Sequence, residues 1–403
     1  MSQAAPLQGV RVLGLEHYIS GPWCSQILAD AGAEVIKIER PGVGDPRRAY
    51  DPYFERDGVR VSGGFVSYNR NKKSLALDIT KPEGREIFLT LVDSADVIVE
   101  NMRPGLMEKN GLTYAVLQAR NPRLVYCAIS GFGRTPDRKG PYAEWPAFDS
   151  VIQAMAGLAS LIGERDGPPM LAPSGIVDLL TGTYAAIGVL LALLQRGITG
   201  RGQFVDVAMY DVTVAILERP LMIQEWTGRT PMRGMDEFAP VGMFRCKDGG
   251  YVALIIPTDE MWQRCCRAIG RDDLARRDDL GTVLQRSKAM KTVIIPELER
   301  WASDKRREQA CEILRAAGQP AGLVETIADV HDSPQVAARG LLVPIDDPVT
   351  GPVRHPRMPV LFSDYQPEHR RTPRLGEHTS DVLGELHVPP DRVAELFRLG
   401  VVG

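Results

Sequence analysis

The sequence predicts an α/β protein built around a parallel sheet, and three observations favour this fold class. Residues 10–15 are strand-like, residues 22–30 have a helical pattern and residues 33–39 alternate, which is the order of a β-α-β unit. Two further strand-like runs, 96–100 and 124–130, end in polar or glycine residues. With 403 residues, of which 44% are hydrophobic, the chain is long enough for two domains with large cores.

The β-α-β start lacks the usual nucleotide-binding fingerprints. No G-x-G-x-x-G follows the first strand, and no G-x-x-x-x-G-K-[ST] occurs in the chain. This counts against a dinucleotide-dependent dehydrogenase and a phosphate-loop NTPase. Just after the second predicted strand, the segment 40–48 carries three arginines, Arg40, Arg47 and Arg48. Guanidinium groups at the carboxyl end of a strand suit phosphates, although a solvated turn has the same composition.

Charge and cysteine content argue against several kinds of partner. The net charge is −3 at pH 7 with no long run of one sign, so neither nucleic acid nor a membrane is implied. The six cysteines show no C-x-x-C spacing, so we expect neither a metal site nor a disulfide framework. Residues 1–9 carry no secretory pattern. We therefore expect a cytoplasmic protein that acts on a small molecule.

One carboxylate stands out in an apolar stretch. Asp178 is the only acidic residue in the run 176–194, which we interpret as a buried core helix rather than a membrane span. An aspartate in the first helical turn commonly caps free backbone N–H groups. The same N–H groups would hold a nucleophilic carboxylate and stabilise an oxyanion beside it. Both roles of Asp178 are open at this point.

The second half of the chain changes in composition. Residues 243–254 have the pattern of a β-hairpin, and residues 260–317 are charged and helical in pattern. We therefore predict a second domain at about 226–325. Two short strands, at 341–343 and 360–362, and a helix at 389–399 follow, and we expect this tail to return to the first domain.

An ordered set of short motifs resembles the class III CoA-transferases, the family that includes formyl-CoA transferase, carnitine CoA-transferase and the α-methylacyl-CoA racemases. Each motif is weak alone, but together they span nearly the whole chain. The motifs are Leu-Gln-Gly-Val-Arg-Val-Leu (7–13), Gly-Pro (21–22), Gly-Ala-Glu-Val-Ile-Lys-Ile-Glu-Arg (32–40), Gly-Asp (44–45), Asn-Lys-Lys-Ser (71–74), Val-Glu-Asn (99–101), Thr-Gly-Arg-Gly-Gln (199–203) and Leu-Gly-Glu-His-Thr (375–379).

The resemblance implies an interlocked homodimer, in which each chain threads through a hole in the other. It also implies a Rossmann-like large domain built from both ends of the chain, plus a smaller α/β domain. The implied boundaries are 1–200 for the first part of the large CoA-binding domain, 201–225 for a linker, 226–325 for the small domain, 326–345 for a second linker and 346–403 for the part that returns to the large domain.

The resemblance also implies a covalent mechanism, because Asp178 falls on the catalytic aspartate of the family. Its carboxylate attacks an acyl-CoA thioester to give a mixed anhydride, and the CoA thiolate then attacks the aspartyl carbonyl. The donor acid leaves an aspartyl-CoA thioester, and an acceptor carboxylate reverses the steps. The implied partners are an acyl-CoA donor, a free carboxylic acid acceptor and a second copy of the chain. No metal and no permanently bound cofactor is expected.

Further site residues follow from the same resemblance. The family positions that contact CoA fall on Ser20, Arg40, Leu77, Thr80, Asn101, Met102, Arg103 and Lys109. Of these, Arg40 and Lys109 carry a charge suited to the CoA phosphates. The residues predicted around the acyl group are His17, Ile19, Phe148, Asp149 and Arg233.

Departures from the family pattern limit the substrate and leave alternatives. Formyl-CoA transferases have glutamine where this chain has Ile19, and the segment 232–242 lacks their glycine run, so formate and oxalate are doubtful. A small mono- or dicarboxylic acid is expected, and Arg233 is either a contact for a distal carboxylate or an exposed arginine. Racemases, which move a proton with a His and the Asp, carry histidine at the position of Phe148. Racemisation and a non-catalytic CoA-binding protein are the alternatives to CoA transfer.

Overall fold

The computed structural model describes residues 4–173, 175–234 and 240–403. The chain divides into two compact units. Unit 1, the larger, comprises Met1–Gly163, Pro168–Pro231 and Arg339–Gly403, and unit 2 comprises Glu164–Gly167 and Met232–Ala338.

Both units contain strands and helices. The strands are β1 (Arg11–Leu15), β2 (Glu34–Glu39), β3 (Tyr53–Arg56), β4 (Val59–Ser62), β5 (Lys72–Ala76), β6 (Val97–Glu100), β7 (Val125–Ser130), β8 (Phe204–Ala208), β9 (Val241–Arg245), β10 (Tyr251–Ile255), β11 (Ala321–Leu323), β12 (Leu342–Ile345) and β13 (Val353–Pro356). The α-helices are α1 (Ser20–Asp30), α2 (Gly63–Val66), α3 (Pro82–Asp93), α4 (Leu106–Lys109), α5 (Tyr114–Arg120), α6 (Asp149–Met155), α7 (Leu158–Leu161), α8 (Ile176–Thr199), α9 (Met209–Ile216), α10 (Glu218–Thr227), α11 (Asp259–Ala268), α12 (Val283–Ala289), α13 (Ile295–Ala302), α14 (Arg307–Ala316), α15 (Ile327–His331), α16 (Pro334–Ala338), α17 (Thr379–Glu385) and α18 (Pro390–Arg398).

Unit 1 is organised around a six-stranded sheet in the order β5-β2-β1-β6-β7-β8. All its strand pairs are parallel, which confirms the predicted α/β class. Strands β6 and β7 are buried along their whole length, as expected for a parallel sheet covered on both faces. The strand order reverses at β1, which lies between β2 and β6. Loops at the carboxyl ends of β1 and β6 therefore open a crevice at this switch point, where ligands bind in such sheets.

The segment 201–225, for which a linker is predicted, contains an edge strand of this sheet. Within it, β8 pairs with β7, with Phe204 opposite Tyr126 and Ala208 opposite Ser130. The difference arises because a five-residue run does not by itself show whether it pairs with a distant strand or lies in a linker.

Helix α8 is the long apolar helix predicted at 176–194, but only one of its faces is buried. Its small residues, such as Gly182 and Ala185, are buried, whereas Leu191 and Leu194 are 61% and 69% exposed. Among the described residues, α8 is the one helix long and apolar enough to cross a membrane, and 39% of its most apolar window is buried. The prediction of a buried core helix is therefore correct for one face only. An apolar run has no polar face to show which side packs inward.

A glycine allows α8 to approach α1 closely. A Cβ atom at Gly182 would lie 2.4 Å from the backbone carbonyl oxygen of Ser20 and 3.0 Å from the Trp23 ring. Any larger residue would push the two helices apart, because the contacting oxygen belongs to the backbone. The indole Nε1 of Trp23 donates to the Thr183 hydroxyl at 3.0 Å, which fixes the rotation of one helix against the other.

The last residues of the chain lie against the end of β5. The Asp78 N–H donates to the Val401 carbonyl at 2.8 Å, and Leu77 pairs with Val402 in an antiparallel bridge. The Gly403 N–H donates to the Ala76 carbonyl at 3.2 Å. The C-terminal segment thus completes the edge of unit 1 at β5.

Unit 2 contains a three-stranded antiparallel sheet in the order β11-β10-β9. Strands β9 and β10 form the hairpin predicted at 243–254. Its core is a separate cluster that includes Phe244, Trp262 and Leu298. Because this cluster has its own large buried side chains, unit 2 is stabilised by a core distinct from that of unit 1.

Candidate active site

The first turn of α8 carries Asp178, but another aspartate caps this helix. The Oδ1 atom of Asp149 accepts the N–H of Val177 at 2.7 Å and the N–H of Asp178 at 3.3 Å. The Oδ2 atom of Asp149 accepts from Gln153 Nε2 at 2.6 Å. Asp149 is 4% exposed, so it is a buried cap from a neighbouring helix. The capping role that the sequence left open for Asp178 is filled by Asp149, and the Asp178 carboxylate is available for chemistry.

The electrostatic environment makes Asp178 more basic than an ordinary aspartate. Burial and the nearby negative charge of Asp149 raise the pKa of Asp178 to about 6. A hydrogen bond from the Ser20 side chain and the positive charge of Arg47 act in the opposite direction. The result is a half-buried carboxylate that is ionised at neutral pH and only partly solvated, as a carboxylate nucleophile requires.

Asn101 holds the loop between β1 and α1 beside Asp178. Its Oδ1 atom accepts the His17 N–H at 2.8 Å, and its Nδ2 atom donates to the His17 carbonyl at 2.8 Å and to Ser20 Oγ at 3.3 Å. Because Asn101 follows β6 and His17 follows β1, these bonds tie the two sides of the switch point together. Ser20, the first residue of α1, is buried there.

His17 and Ile19 are predicted to lie around the acyl group, and the structure shows His17 half-buried and Ile19 buried. Burial and the charge of Lys37 lower the pKa of His17, which favours a neutral imidazole. Ile19 is 6% exposed and packs near the start of α8, where a Cβ atom at Gly175 would lie 3.2 Å from its Cδ1 atom.

A cavity of about 140 Å³ lies beside Asp178. Its walls come mainly from the loops that follow β1, β6 and β7, and six of the predicted site residues line it: Ser20, Asn101, Met102, Arg103, Phe148 and Asp178. Tyr18, Arg134 and Trp145 also line the cavity and were missed by the sequence analysis. Their positions depend on loop conformations that no local pattern shows.

Arg134 fixes the segment that follows β6. Its guanidinium pairs with the buried carboxylate of Glu100 and donates to the Met102 carbonyl. The Met102 N–H donates to Glu100 Oε2 at 2.8 Å. Burial raises the pKa of Glu100 to about 7, against the opposing charge of Arg134. This pair holds Met102 and its neighbour Arg103 at the cavity wall.

Three of the predicted CoA contacts carry exposed positive charge. Arg40 directly follows β2, Arg103 lies three residues after β6, and Lys109 ends α4. Within residues 4–173, 175–234 and 240–403, none of the three forms an ion pair with an acidic side chain. Their charges are therefore not neutralised by described neighbours and are suited to an anionic ligand.

Leu77 and Thr80 are also predicted to contact CoA, but they are uncharged and already have contacts within the protein. The Leu77 side chain is 2% exposed and belongs to a core cluster, and its N–H donates to the Glu39 carbonyl at 2.8 Å. Thr80 is exposed, and its hydroxyl donates to Asp78 Oδ1 at 2.6 Å.

Arg233 belongs to unit 2 and binds a backbone carbonyl of the same unit. Its guanidinium Nε donates to the Gly167 carbonyl at 2.7 Å, and the residue is half-buried rather than exposed. Residues 235–239 of the predicted 232–242 loop lie outside the described residues. No group of three or more His, Cys, Asp or Glu side chains suited to a metal ion occurs in the part of the chain that the structure describes.

The fold and the carboxylate at its switch point define an α/β enzyme, and comparisons with known proteins define its family. The model of CoA-transferase family III matches residues 7–379. Succinate–glutarate CoA-transferase of Agrobacterium fabrum is 35% identical over 94% of this chain and 96% of its own length. A formyl-CoA:oxalate CoA-transferase of Rhodopseudomonas palustris is 32% identical over 98% and 97%.

Comparison with a solved structure supports the same family. A CAIB/BAIF family protein from Brucella suis is 35% identical and superposes with a TM-score of 0.84, covering 95% of this chain and 100% of that one. The chain belongs to CoA-transferase family III, and the resemblance found in its motifs is confirmed. It is a CoA-transferase.

Proposed function

We propose that this protein transfers CoA from an acyl-CoA to a free dicarboxylic acid through an aspartyl-CoA thioester on Asp178. The observation that carries the proposal is the Asp178 carboxylate itself, which is partly desolvated, lines a cavity at the switch point and is not used as a helix cap. The names of the two relatives give formyl-CoA as one donor and succinate, glutarate and oxalate as the acids, and these three diacids support a small dicarboxylic acid.

The proposed reaction begins with attack of the Asp178 carboxylate on the thioester carbonyl. The C–S bond breaks, and the thiolate of CoA leaves an anhydride between the acyl group and Asp178. The thiolate then attacks the aspartyl carbonyl, and the donor acid departs as a carboxylate. The acceptor carboxylate attacks the resulting aspartyl-CoA, and the same two steps in reverse release the new acyl-CoA and restore Asp178.

Different residues around Asp178 bind different parts of the acyl-CoA substrate. Ser20 donates to the attacking carboxylate or to the oxygen that becomes negative, because its side chain lines the same cavity as Asp178 and acts to lower the pKa of that carboxylate. Arg40, Arg103 and Lys109 bind the phosphates of CoA at the strand ends. Asn101 positions the loop that carries Ser20.

Racemisation is disfavoured by a residue in the wall of the cavity that Asp178 also lines. At position 148 the wall presents the phenyl ring of Phe148, which meets Tyr18 edge to face at 5.6 Å. A phenyl group cannot carry a proton to or from an acyl α-carbon. The racemase alternative therefore lacks the second member of its acid/base pair at that position.

The proposal includes the interlocked homodimer and the Rossmann-like character of unit 1. Counting only the strands of its sheet, the order is 3-2-1-4-5-6, which supports a Rossmann-like assignment. Helices α8 and α10 each carry large exposed apolar side chains, among them Leu194, Ile198 and Trp226, which a partner chain would cover. We place the enzyme in the cytoplasm, where acyl-CoA substrates and reduced thiols are expected; its six cysteines are buried free thiols.

The test is to trap the intermediate. We expect incubation with succinyl-CoA followed by hydroxylamine to convert Asp178 to its hydroxamate, and borohydride to convert it to homoserine. Peptide mass spectrometry locates the change. Protein treated with the same reagents and free CoA is the control. Wash-in of deuterium at the α-carbon without CoA exchange would favour racemisation, and CoA binding with neither change would favour the non-catalytic alternative.

Transfer is also expected to depend on pH, because only the ionised carboxylate attacks. Since burial raises the pKa of Asp178 to about 6, kcat/KM should rise with pH through about 6 and level off above it. Ser20→Ala removes a hydrogen bond that lowers this pKa, so the rise should move to higher pH. The measurement is initial rate across about pH 5 to 8, with circular dichroism confirming that the fold persists. A profile that is level through this range would contradict the assignment of Asp178.

A further inference from the structure

Arg47 lies in the loop after β2, in a short 3₁₀ turn at Pro46–Ala49, and is held there by two aromatic rings. Its guanidinium carbon is 4.9 Å from the ring centroid of Tyr50 and 5.4 Å from that of Tyr68. Cation–π contacts of this kind position a guanidinium and leave its charge in place.

Arg47 forms no ion pair with an acidic side chain among residues 4–173, 175–234 and 240–403, although its charge acts to lower the pKa of Asp178. Its Nε atom is buried and makes no hydrogen bond with these residues. The neighbouring Arg48 behaves differently, because its Nε and Nη2 atoms bind Glu39 at 2.8 Å and 2.7 Å and its Nη1 atom binds the Pro373 carbonyl at 3.2 Å. Arg48 is therefore a structural residue, whereas Arg47 is a fixed cation whose donors are free for an anion.

Two lines of aromatic contacts connect Arg47 with the surroundings of Asp178. On one side, the Tyr68 ring meets Trp23 edge to face at 6.4 Å, and Trp23 binds Thr183 on α8. The opposing effects of Arg47 and Asp178 on the pKa of Tyr68 agree with this placement, since both charges lie within electrostatic reach of the same ring.

On the other side, the contacts lead to the cavity. The Tyr50 ring meets Tyr18 edge to face at 6.4 Å, and Tyr18 meets Phe148 at 5.6 Å. Tyr18 and Phe148 line the same cavity as Asp178. Arg47 does not itself line this cavity, but these ring contacts and the effect of its charge on the pKa of Asp178 place it near the nucleophile. In such surroundings a guanidinium–carboxylate pair is stronger than in water.

The position of the thioester decides which anion can reach Arg47. When the thioester carbonyl is at Asp178, the CoA phosphates are removed from it by the length of the pantetheine arm. The acyl group is the part of the substrate that stays beside Asp178. Because the charge of Arg47 acts on Asp178, the anion suited to Arg47 is one close to the reacting carbonyl, and in a dicarboxylic acyl group this is the carboxylate that does not react.

We propose that Arg47 is a specificity-determining residue that binds the remote carboxylate of a dicarboxylic acyl group while the other end reacts at Asp178. This inference rests on the proposed CoA transfer and names the group that selects a diacid over a monoacid. Arg47 takes the role that the sequence analysis considered for Arg233, whose guanidinium is bound to the Gly167 carbonyl.

The experiment compares acids of equal length with one or two carboxylates, on wild type and Arg47→Met. With succinate as acceptor, Arg47→Met should lower kcat/KM roughly 10- to 100-fold, mainly through KM, because a charged hydrogen-bonded pair is lost. With butyrate the loss should stay within about threefold. Arg47→Lys should recover part of the succinate activity. Arg56→Met, on the exposed strand β3, is the matched control and should change kcat/KM with neither succinate nor butyrate.

Three outcomes would overturn the proposal and leave CoA transfer standing. Equal losses with succinate and butyrate would mean that Arg47 acts on Asp178 or on the shared reaction centre, and unchanged succinate kinetics would mean that it binds no substrate. Trapping of the aspartyl-CoA in Arg47→Met tests the transfer step separately, and failure to trap it in wild type would count against the proposed function. Calorimetric binding of succinate needs no turnover, and equal affinity of wild type and Arg47→Met for succinate would also reject the proposal.

Discussion

Asp178→Asn is expected to lower kcat for CoA transfer by about a thousandfold or more while the protein stays folded. The amide has nearly the same shape but no nucleophilic oxygen that can form the anhydride. The cap on α8 is unaffected, because Asp149 accepts the N–H groups of Val177 and Asp178. The measurements are steady-state transfer from succinyl-CoA and trapping of the intermediate with hydroxylamine.

The same substitution should raise thermal stability at neutral pH. The pKa of Asp178 is raised in the folded protein, so its carboxylate favours folding less once it ionises, and this loss grows as pH rises above the unfolded value. Asp178→Ala gives a second variant in which deamidation cannot restore the acid. Asp149→Asn is the control for the neighbouring carboxylate and should keep measurable transfer. Full activity of Asp178→Ala would reject a covalent role.

Lys37→Met is expected to cause the largest loss of stability, about 3 to 5 kcal/mol. The fully buried Lys37 ammonium donates to the Glu16 carbonyl at 2.7 Å and lies 2.9 Å from Asp45 Oδ2 and 3.6 Å from Glu16 Oε1. Removing the ammonium leaves the buried carboxylates of Glu16 and Asp45 with less positive charge to offset the cost of their burial. Urea denaturation at neutral pH measures the change. Lys73→Met removes a partly exposed lysine paired with Glu34 and should cost about 1 kcal/mol or less.

The deficit of Lys37→Met should shrink in acid. Burial acts to raise the pKa of Asp45, but the charge and hydrogen bond of Lys37, together with the Arg47 N–H and the charge of His17, outweigh it, and the pKa is lowered. The stabilisation from this pair is therefore present above the unfolded pKa of an aspartate, about 4, and is lost as pH falls through the folded value. Without Lys37, the buried carboxyl protonates more readily. A deficit that is as large well below pH 4 as at neutral pH would show that lost packing, not lost charge, destabilises the variant.

Much of unit 1 follows from local sequence patterns. The strands β1, β6 and β7 are largely apolar runs, because a parallel sheet buries both of its faces, whereas β2 alternates between apolar and charged residues. Both patterns are visible without tertiary information. The hairpin of β9 and β10 is visible for a similar reason, since a Gly-Gly turn separates its strands. The predicted strand at 360–362 is not formed, because a short apolar run alone does not ensure a pairing partner.

The candidate site is less visible in the sequence, because it depends on long-range contacts. Asp149 caps a helix that begins 27 residues later, and no spacing rule links the two. The environment of Arg47 comes from rings in three different loops. Asp178 was recognised because it is the one acidic residue of an apolar run and because it matches a family position. Its freedom from capping became apparent only in the folded structure.

The cap on α8 determines which hydrogen-bond donors of the site are available to an inhibitor. The N–H groups of the first helical turn all have acceptors: Ile176 and Leu179 bind backbone carbonyls, and Val177 and Asp178 bind Asp149. The sequence-based expectation that these groups stabilise an oxyanion is therefore wrong, since their donors are occupied. A compound that mimics the tetrahedral anion gains nothing from the helix terminus. Its negative oxygen should be directed to the hydroxyl of Ser20.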